Sequence, residues 1–233
     1  MNMAHESLRR EIIATCIEMN RLGVNQGKSG NVSVRTPEGF LITPSGISYD
    51  AMRPDQVVAM DLDGGYVGAF LPSSEWRMHL DIFRHRPEAV AIVHNHSTYA
   101  TALACLREGI PAFHYMIGVG GGADIRCSGY ATFGTEALSV TMIEAMRDRS
   151  ACLLANHGMI CFGSSLENAL WRAVEVETLA KQYWIARLAG TPVILPDDEM
   201  TGVLARFKSY GKQADELQPG DAPAVEMPVR RDV

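Results

Sequence analysis

The apolar run Ala-Val-Ala-Ile-Val at residues 89–93 leads directly into His94-Asn95-His96, and that junction restricts the fold more than any other stretch. After Pro87, which stops a preceding helix, such a run reads as a short buried strand. Alternate side chains of a strand share a face, so His94 and His96 leave its end in one direction. Two neighbouring imidazoles suit a core poorly, because each brings two nitrogens that need partners. A divalent cation satisfies both at once, and imidazole suits zinc in particular. A cation held there requires further ligands, and the fold must bring them to this strand's end.

The flanking segments give an α/β pattern. Residues 7–22 read as a helix with Leu8, Ile12, Ile13, Cys16 and Ile17 on one face and Gly23 as its stop. Residues 32–35 and 40–43 read as strands joined by Pro37-Glu38-Gly39. Residues 57–61 pair with a strand from Tyr66 across Asp63-Gly64. Pro72-Ser73-Ser74-Glu75 opens a helix to about residue 86, with a serine cap and a glutamate in the first turn. Residues 98–106, 136–147, 166–189 and 198–210 read as helices, and 152–155 and 159–162 as strands. Residues 118–122 form a glycine-rich bend that lacks the strand-then-helix context of a dinucleotide site. One α/β domain over residues 1–217 is expected, followed by a disordered tail at 218–233, where prolines and charges replace periodicity.

Charge and composition narrow the function. A net charge of -6 argues against a nucleic-acid partner. No apolar run approaches the roughly 18–20 residues of a membrane span, and Glu6 and Glu11 interrupt any leader-like core. The five cysteines are odd in number, lack Cys-x-x-Cys spacing and four of them have apolar neighbours, which fits reduced thiols in a cytoplasmic protein.

His157, in Asn156-His157-Gly158 between two short strands, and Glu75, at a helix start, join His94 and His96 as candidate ligands. Glu75 also suits a helix N-terminus on electrostatic grounds alone, and His157 also suits a hydrogen-bonded turn. His79 competes, one helical turn from Glu75; His5, His85 and His114 read as surface or structural histidines. A second constellation is donor-rich: Ser29-Gly30-Asn31, Ser45-Gly46 and Ser73-Ser74 offer hydroxyls and backbone N–H groups. The last of these sits at a helix N-terminus, a natural anion site, though ordinary turns and a cap account for the same residues.

Taken in order, the segments Gln26-Gly27-x-x-Gly30-Asn31-Val32-Ser33-Val34-Arg35, Leu41-Ile42-Thr43-Pro44-Ser45-Gly46, Pro72-Ser73-Ser74-Glu75-Trp76-Arg77, Val93-His94-Asn95-His96 and Asn156-His157-Gly158 resemble the class II aldolase/adducin family. His114-Tyr115-Met116, Tyr130-Ala131-Thr132-Phe133-Gly134-Thr135 and Phe207-Lys208-Ser209-Tyr210-Gly211 extend the resemblance to residues 6–212 and direct it to the family's ketose-1-phosphate aldolases of the L-fuculose 1-phosphate type.

The resemblance implies a single domain with a central, mainly antiparallel sheet flanked by helices, assembled as a C4 homotetramer. It implies one zinc per subunit on His94, His96 and His157 with Glu75 on or near it; manganese, cobalt and iron remain open. It implies reversible cleavage of a ketose 1-phosphate to dihydroxyacetone phosphate and an aldehyde. The phosphate would lie among Ser29, Gly30, Asn31, Ser45, Gly46, Ser73 and Ser74, with Glu75 as base, Tyr115 as acid from a neighbouring subunit, and Phe133 and Tyr210 as accessory groups. Lys28-Ser29 departs from the smaller neutral residues expected in that loop and makes the phosphate environment more positive.

Alternatives within the family differ at the site. The pentulose-5-phosphate 4-epimerases usually carry aspartate where Glu75 stands. Methylthioribulose-1-phosphate dehydratases share the metal set but lack the match through Tyr115 and residues 130–135. Aldolases acting on 5-deoxyribulose 1-phosphate or 5-methylthioribulose 1-phosphate need an apolar pocket that the sequence does not reveal. A non-catalytic, adducin-like scaffold is expected to have lost ligands that this chain keeps.

Overall fold

A computed structural model describes residues 5–210. The expected boundary at 217 and the tail at 218–233 lie outside the described residues. In chain order the elements are α1 (Glu6–Arg21), β1 (Asn31–Thr36), β2 (Gly39–Ile42), β3 (Val58–Met60), β4 (Tyr66–Val67), α2 (Trp76–His85), β5 (Ala91–Asn95) and α3 (Thr98–Cys105). After them come a 3₁₀ segment Tyr115–Gly120, then α4 (Glu136–Ala145), β6 (Ala151–Leu154), β7 (Gly158–Gly163), α5 (Leu166–Ala189) and α6 (Asp197–Phe207).

The seven strands form one sheet in the order β4-β3-β2-β1-β5-β7-β6, with every neighbouring pair antiparallel. Side-chain alternation divides the core in two. Val32, Val34, Leu41, Val93, Leu153 and Cys161 face one core, closed by α1, α3, α5 and α6. Phe40, Ile42, Ile92, Leu154, Ile160 and Phe162 face the other, closed by α2 and α4. The expected single α/β domain is therefore a sheet with helices on both faces.

Several details depart from the sequence reading. On α1 the buried stripe is Ile12, Cys16 and Met19, at helical spacing, and Ile17 points outward. Residues 118–122 are not a free bend: most belong to the 3₁₀ segment, which ends at left-handed Gly121 (φ 85°). The last helix stops at Phe207 rather than 210. Of the cysteines, all free, Cys16, Cys152 and Cys161 are buried, Cys127 is half-buried and Cys105 is exposed.

α2 also starts differently. Glu75 is its N-cap residue, yet its side chain makes no capping hydrogen bond; Ser73 Oγ instead accepts from the Glu75 N–H at 3.3 Å. The carboxylate is drawn away because three imidazoles and an amide stand on its other side.

Candidate active site

β5 and β1 pair so that Asn31 lies directly opposite His94, and β5 and β7 so that His94 lies opposite Ile160. Since Ile92 and Ile160 point to the α2 side, His94 and Asn31 do too. α2 lies over that face and delivers Glu75 at its N-cap. β6 and β7 are joined by Ala155-Asn156-His157, with Asn156 in the left-handed region (φ 54°), a conformation asparagine tolerates. The turn directs His157 back toward the β5 end. Gly158 follows because nothing larger fits: a Cβ there would sit 2.4 Å from the Asn95 carbonyl and 2.8 Å from the His96 ring.

These elements bring ligand atoms of Glu75, His94, His96 and His157 within 4.8 Å of one another. His94 Nε2 lies 3.1 Å from His96 Nε2 and 3.0 Å from Glu75 Oε2, and His157 Nε2 lies 2.9 Å from Glu75 Oε1. Each pair of the three rings has centroids 4.9 Å apart. His94 Nδ1 donates to the Met159 carbonyl at 2.8 Å, which leaves Nε2 of the neutral ring as a lone pair aimed inward. Glu75 Oε1 is buried and accepts no hydrogen bond despite its proximity to His157. A tetrahedral zinc with bonds of about 2.0–2.1 Å holds its ligands about 3.3–3.4 Å apart, close to these separations. The donor set, the spacing and the orphaned oxygen all fit a divalent cation.

Glu75 and the imidazoles also shift one another's protonation. Burial pushes the Glu75 carboxyl up, but the close approach of the His94 and His157 imidazoles outweighs it and holds Glu75 well below the usual carboxylate range. Burial opposes protonation of His94, while Glu75 overcomes it and raises His94. His96 is pushed down to about 4 by burial and by the neighbouring imidazoles, which keeps it neutral and able to donate a lone pair.

A cavity of ≈ 310 Å³ opens beside the cluster, lined by Glu75, His96 and His157, by Ser29, Ser74 and Asn156, and by Tyr130, Ala131 and Phe133. A second cavity of ≈ 320 Å³ shares Ser74 and adds Ser45 and Ser73. The loops carrying these serines are stitched together: Ser45 N–H donates to Leu71 O at 3.0 Å and Ser73 N–H to Thr43 O at 2.9 Å. Lys28 Nζ donates to Gly46 O at 2.8 Å and adds positive charge to the same region. Gly30 is needed for a close approach, since a Cβ there would stand 2.6 Å from the His94 carbonyl.

Other candidates lie elsewhere. Asn31 is turned inward, its Nδ2 donating to Glu75 Oε2 at 3.0 Å. His79, the competing ligand, is fully buried outside the four-residue cluster and bonds to Ser33 and Asn31. Tyr115 is half exposed, stacked on His114 and absent from the cavity walls around the cluster. Tyr210 stacks on Phe207 and Trp171 rather than lining the cavity. Tyr130, Ala131 and Asn156 line it without having been singled out from sequence. Asn156, a left-handed residue next to a candidate ligand, carried a usable signal; Tyr130 and Ala131 carried only their place in a motif.

The model of the Class II Aldolase and Adducin N-terminal domain matches residues 10–184, and the chain belongs to that family. Within it the chain is a metal-dependent aldolase, a lyase. It is 49% identical over 213 residues to a 5-methylthioribulose-1-phosphate/5-deoxyribulose-1-phosphate aldolase of Rhodospirillum rubrum, covering 91% of this chain and 96% of the relative. It is 47% identical over 215 residues to the L-fuculose phosphate aldolase of Escherichia coli K12, covering 92% and 100%. A solved L-fuculose 1-phosphate aldolase superposes with a TM-score of 0.85 at 44% identity, covering 88% of this chain and 98% of that one. Among the described residues, no helix is long and apolar enough to cross a membrane.

Proposed function

We propose that the chain is a zinc-dependent aldolase that reversibly cleaves a ketose 1-phosphate of the L-fuculose 1-phosphate type to dihydroxyacetone phosphate and an aldehyde. The observation that carries this reading is the convergence of three imidazole nitrogens and one carboxylate beside a cavity that Ser29 and Ser74 help to line. His94, His96 and His157 are the nitrogen ligands and Glu75 the carboxylate. When bound, the cation supplies Lewis-acid stabilisation of the negative charge that C3–C4 cleavage leaves on the dihydroxyacetone phosphate half.

The chain's own groups do the rest. Ser29, Gly30, Ser45, Gly46, Ser73 and Ser74 hold the phosphate through hydroxyls and backbone N–H groups, with Lys28 adding charge and Asn31 serving Glu75. In the condensation direction Glu75 takes the C3 proton of dihydroxyacetone phosphate. A carboxylate whose Oε1 turns from His157 toward substrate, with Oε2 kept on Asn31, keeps its burial and loses part of what lowers its pKa, which moves it toward a general base's working range. Tyr115 gives a proton to the aldehyde oxygen across a subunit boundary in a C4 homotetramer, a role supported by its exposure and its distance from its own cavity. Phe133 borders the aldehyde end, while Tyr210, packed on Phe207 and Trp171, takes no part in its own subunit's cavity. Five free thiols, one exposed, support a reducing cytoplasmic setting.

A second substrate reading, 5-methylthioribulose 1-phosphate or 5-deoxyribulose 1-phosphate, is favoured by one feature: the apolar Tyr130, Ala131 and Phe133 wall suits a methyl or thiomethyl end. A coupled assay for dihydroxyacetone phosphate across these two compounds, L-fuculose 1-phosphate and L-rhamnulose 1-phosphate separates the readings by kcat/KM. The highest value with L-fuculose 1-phosphate supports the first reading, and the highest with a deoxypentulose compound supports the second. No release from any of the four refutes both.

A further inference from the structure

We infer that His79 and Ser33 are positioning residues: with Asn31 they form a hydrogen-bond chain of fixed direction that holds the Glu75 carboxylate in place. The inference rests on the acid–base role proposed for Glu75. Ser33 Oγ lies 2.6 Å from His79 Nδ1, His79 Nε2 lies 2.5 Å from Asn31 Oδ1, and Asn31 Nδ2 lies 3.0 Å from Glu75 Oε2. Ser33 and His79 are wholly buried and Asn31 is 3% exposed, so water does not compete for these groups.

The direction follows from the inventory of donors. A carboxylate only accepts, so Asn31 must present its NH₂ to Glu75 and its carbonyl oxygen to His79. That oxygen also only accepts, so His79 carries its proton on Nε2. Nδ1 of the neutral ring is then a lone pair, and the Ser33 hydroxyl donates to it. Rotating the Asn31 amide would set oxygen against the carboxylate and NH₂ against the Nε2–H, two repulsive contacts at once. Glu75 Oε2 is thereby pinned, while Oε1, free of hydrogen bonds, is left for the reacting centre.

The scaffold explains why the chain is rigid. Asn31 and Ser33 share a face of β1 through strand alternation, and Glu75 and His79 are one turn apart at the start of α2. Of Ser33, His79, Asn31 and Glu75, only Glu75 lines the cavity. The imidazole of His79 therefore acts on the reaction only through Asn31.

The test uses the full-length, zinc-loaded chain and release of dihydroxyacetone phosphate from its best substrate. His79→Leu is expected to lower kcat about 10-fold, with KM within about 2-fold and zinc content unchanged. His79→Gln, whose amide can replace the Nε2–H, recovers part of that loss. Adding His79→Leu to Asn31→Ala costs nothing beyond Asn31→Ala alone, because the effect passes through that amide. Should His79→Leu fail to fold, Ser33→Ala decides: about a 3-fold fall in kcat with zinc retained supports the chain, and an unchanged kcat overturns it. Wild-type kcat in a folded His79→Leu, a loss confined to KM or zinc content, or additive losses in the double variant also overturn it. Glu75→Gln, measured alongside, separates the two levels. An inactive Glu75→Gln beside a normal His79→Leu overturns the positioning chain only, and a zinc-loaded Glu75→Gln with full activity overturns the base assignment as well.

Discussion

The two faces of the sheet are built from the same strands and differ in what they bury. Toward α1, α3 and α5 the strands present Val32, Val34, Val93, Leu153 and Cys161, an apolar surface. Toward α2 the same strands present Asn31, Ser33 and His94 among Ile92, Ile160 and Leu154, and α2 answers with Glu75 and His79. One-residue alternation is the whole difference. It lets one face supply cohesion while the other holds buried polar groups, each costly unless partnered. The chemistry occupies the end of the face where that cost is met by mutual hydrogen bonds and, in the proposed holoenzyme, by a cation.

That contrast can be broken at several points. Removing an imidazole has the largest expected effect: His157→Ala should lower kcat by about 10³-fold and abolish stoichiometric zinc, with folding largely intact. Metal analysis beside the dihydroxyacetone phosphate assay checks it. Leu153→Ala on the apolar face should do the reverse, costing about 3 kcal/mol of stability with kcat per folded molecule within about 2-fold of wild type. Denaturant unfolding measures the first quantity and active-site-normalised kinetics the second.

A smaller, pH-dependent effect sharpens the contrast. Burial, with His94 nearby, pushes His79 down from 6.5 to about 3, so the folded chain keeps it neutral where the unfolded chain protonates it. A histidine depressed in this way leaves stability intact above the unfolded value and erodes it as pH falls from 6.5 toward about 3. His79→Leu should flatten that part of the stability–pH curve measured on metal-free protein, with the difference vanishing above neutrality. The smallest effect belongs to the rim: Phe133→Ala should change the ratio of kcat/KM for methyl-ended and hydroxyl-bearing aldehyde products by about 3-fold. A larger change in zinc content than in this ratio would move Phe133 from the rim to the metal site.

Much of this was legible in the sequence, for physical reasons. Strand alternation announced that His94 and His96 emerge together, and the apolar runs at 89–93 and 159–162 announced two buried strands, β5 and β7. The grouping of His157 and Glu75 with them came through motif order, since no local rule fixes which turn reaches which strand end. The role of Asn31 was less visible: a donor in a Ser-Gly-Asn loop suggests an anion, and only the pairing with His94 turns it toward Glu75. His79 competed as a ligand because helical spacing sets it one turn from Glu75; the strand below pairs it with Ser33 instead. Glu75 was expected in the first turn of α2 behind a serine cap, but it occupies the N-cap position itself, because its carboxylate is engaged by His94, His157 and Asn31.

The most direct measurement is a zinc titration of the chelator-stripped chain, followed by release of dihydroxyacetone phosphate from L-fuculose 1-phosphate and 5-methylthioribulose 1-phosphate. Activity should rise from near zero and level off at one zinc per subunit. Full cleavage by the stripped chain, or zinc bound at one per subunit without cleavage of either compound, would contradict it.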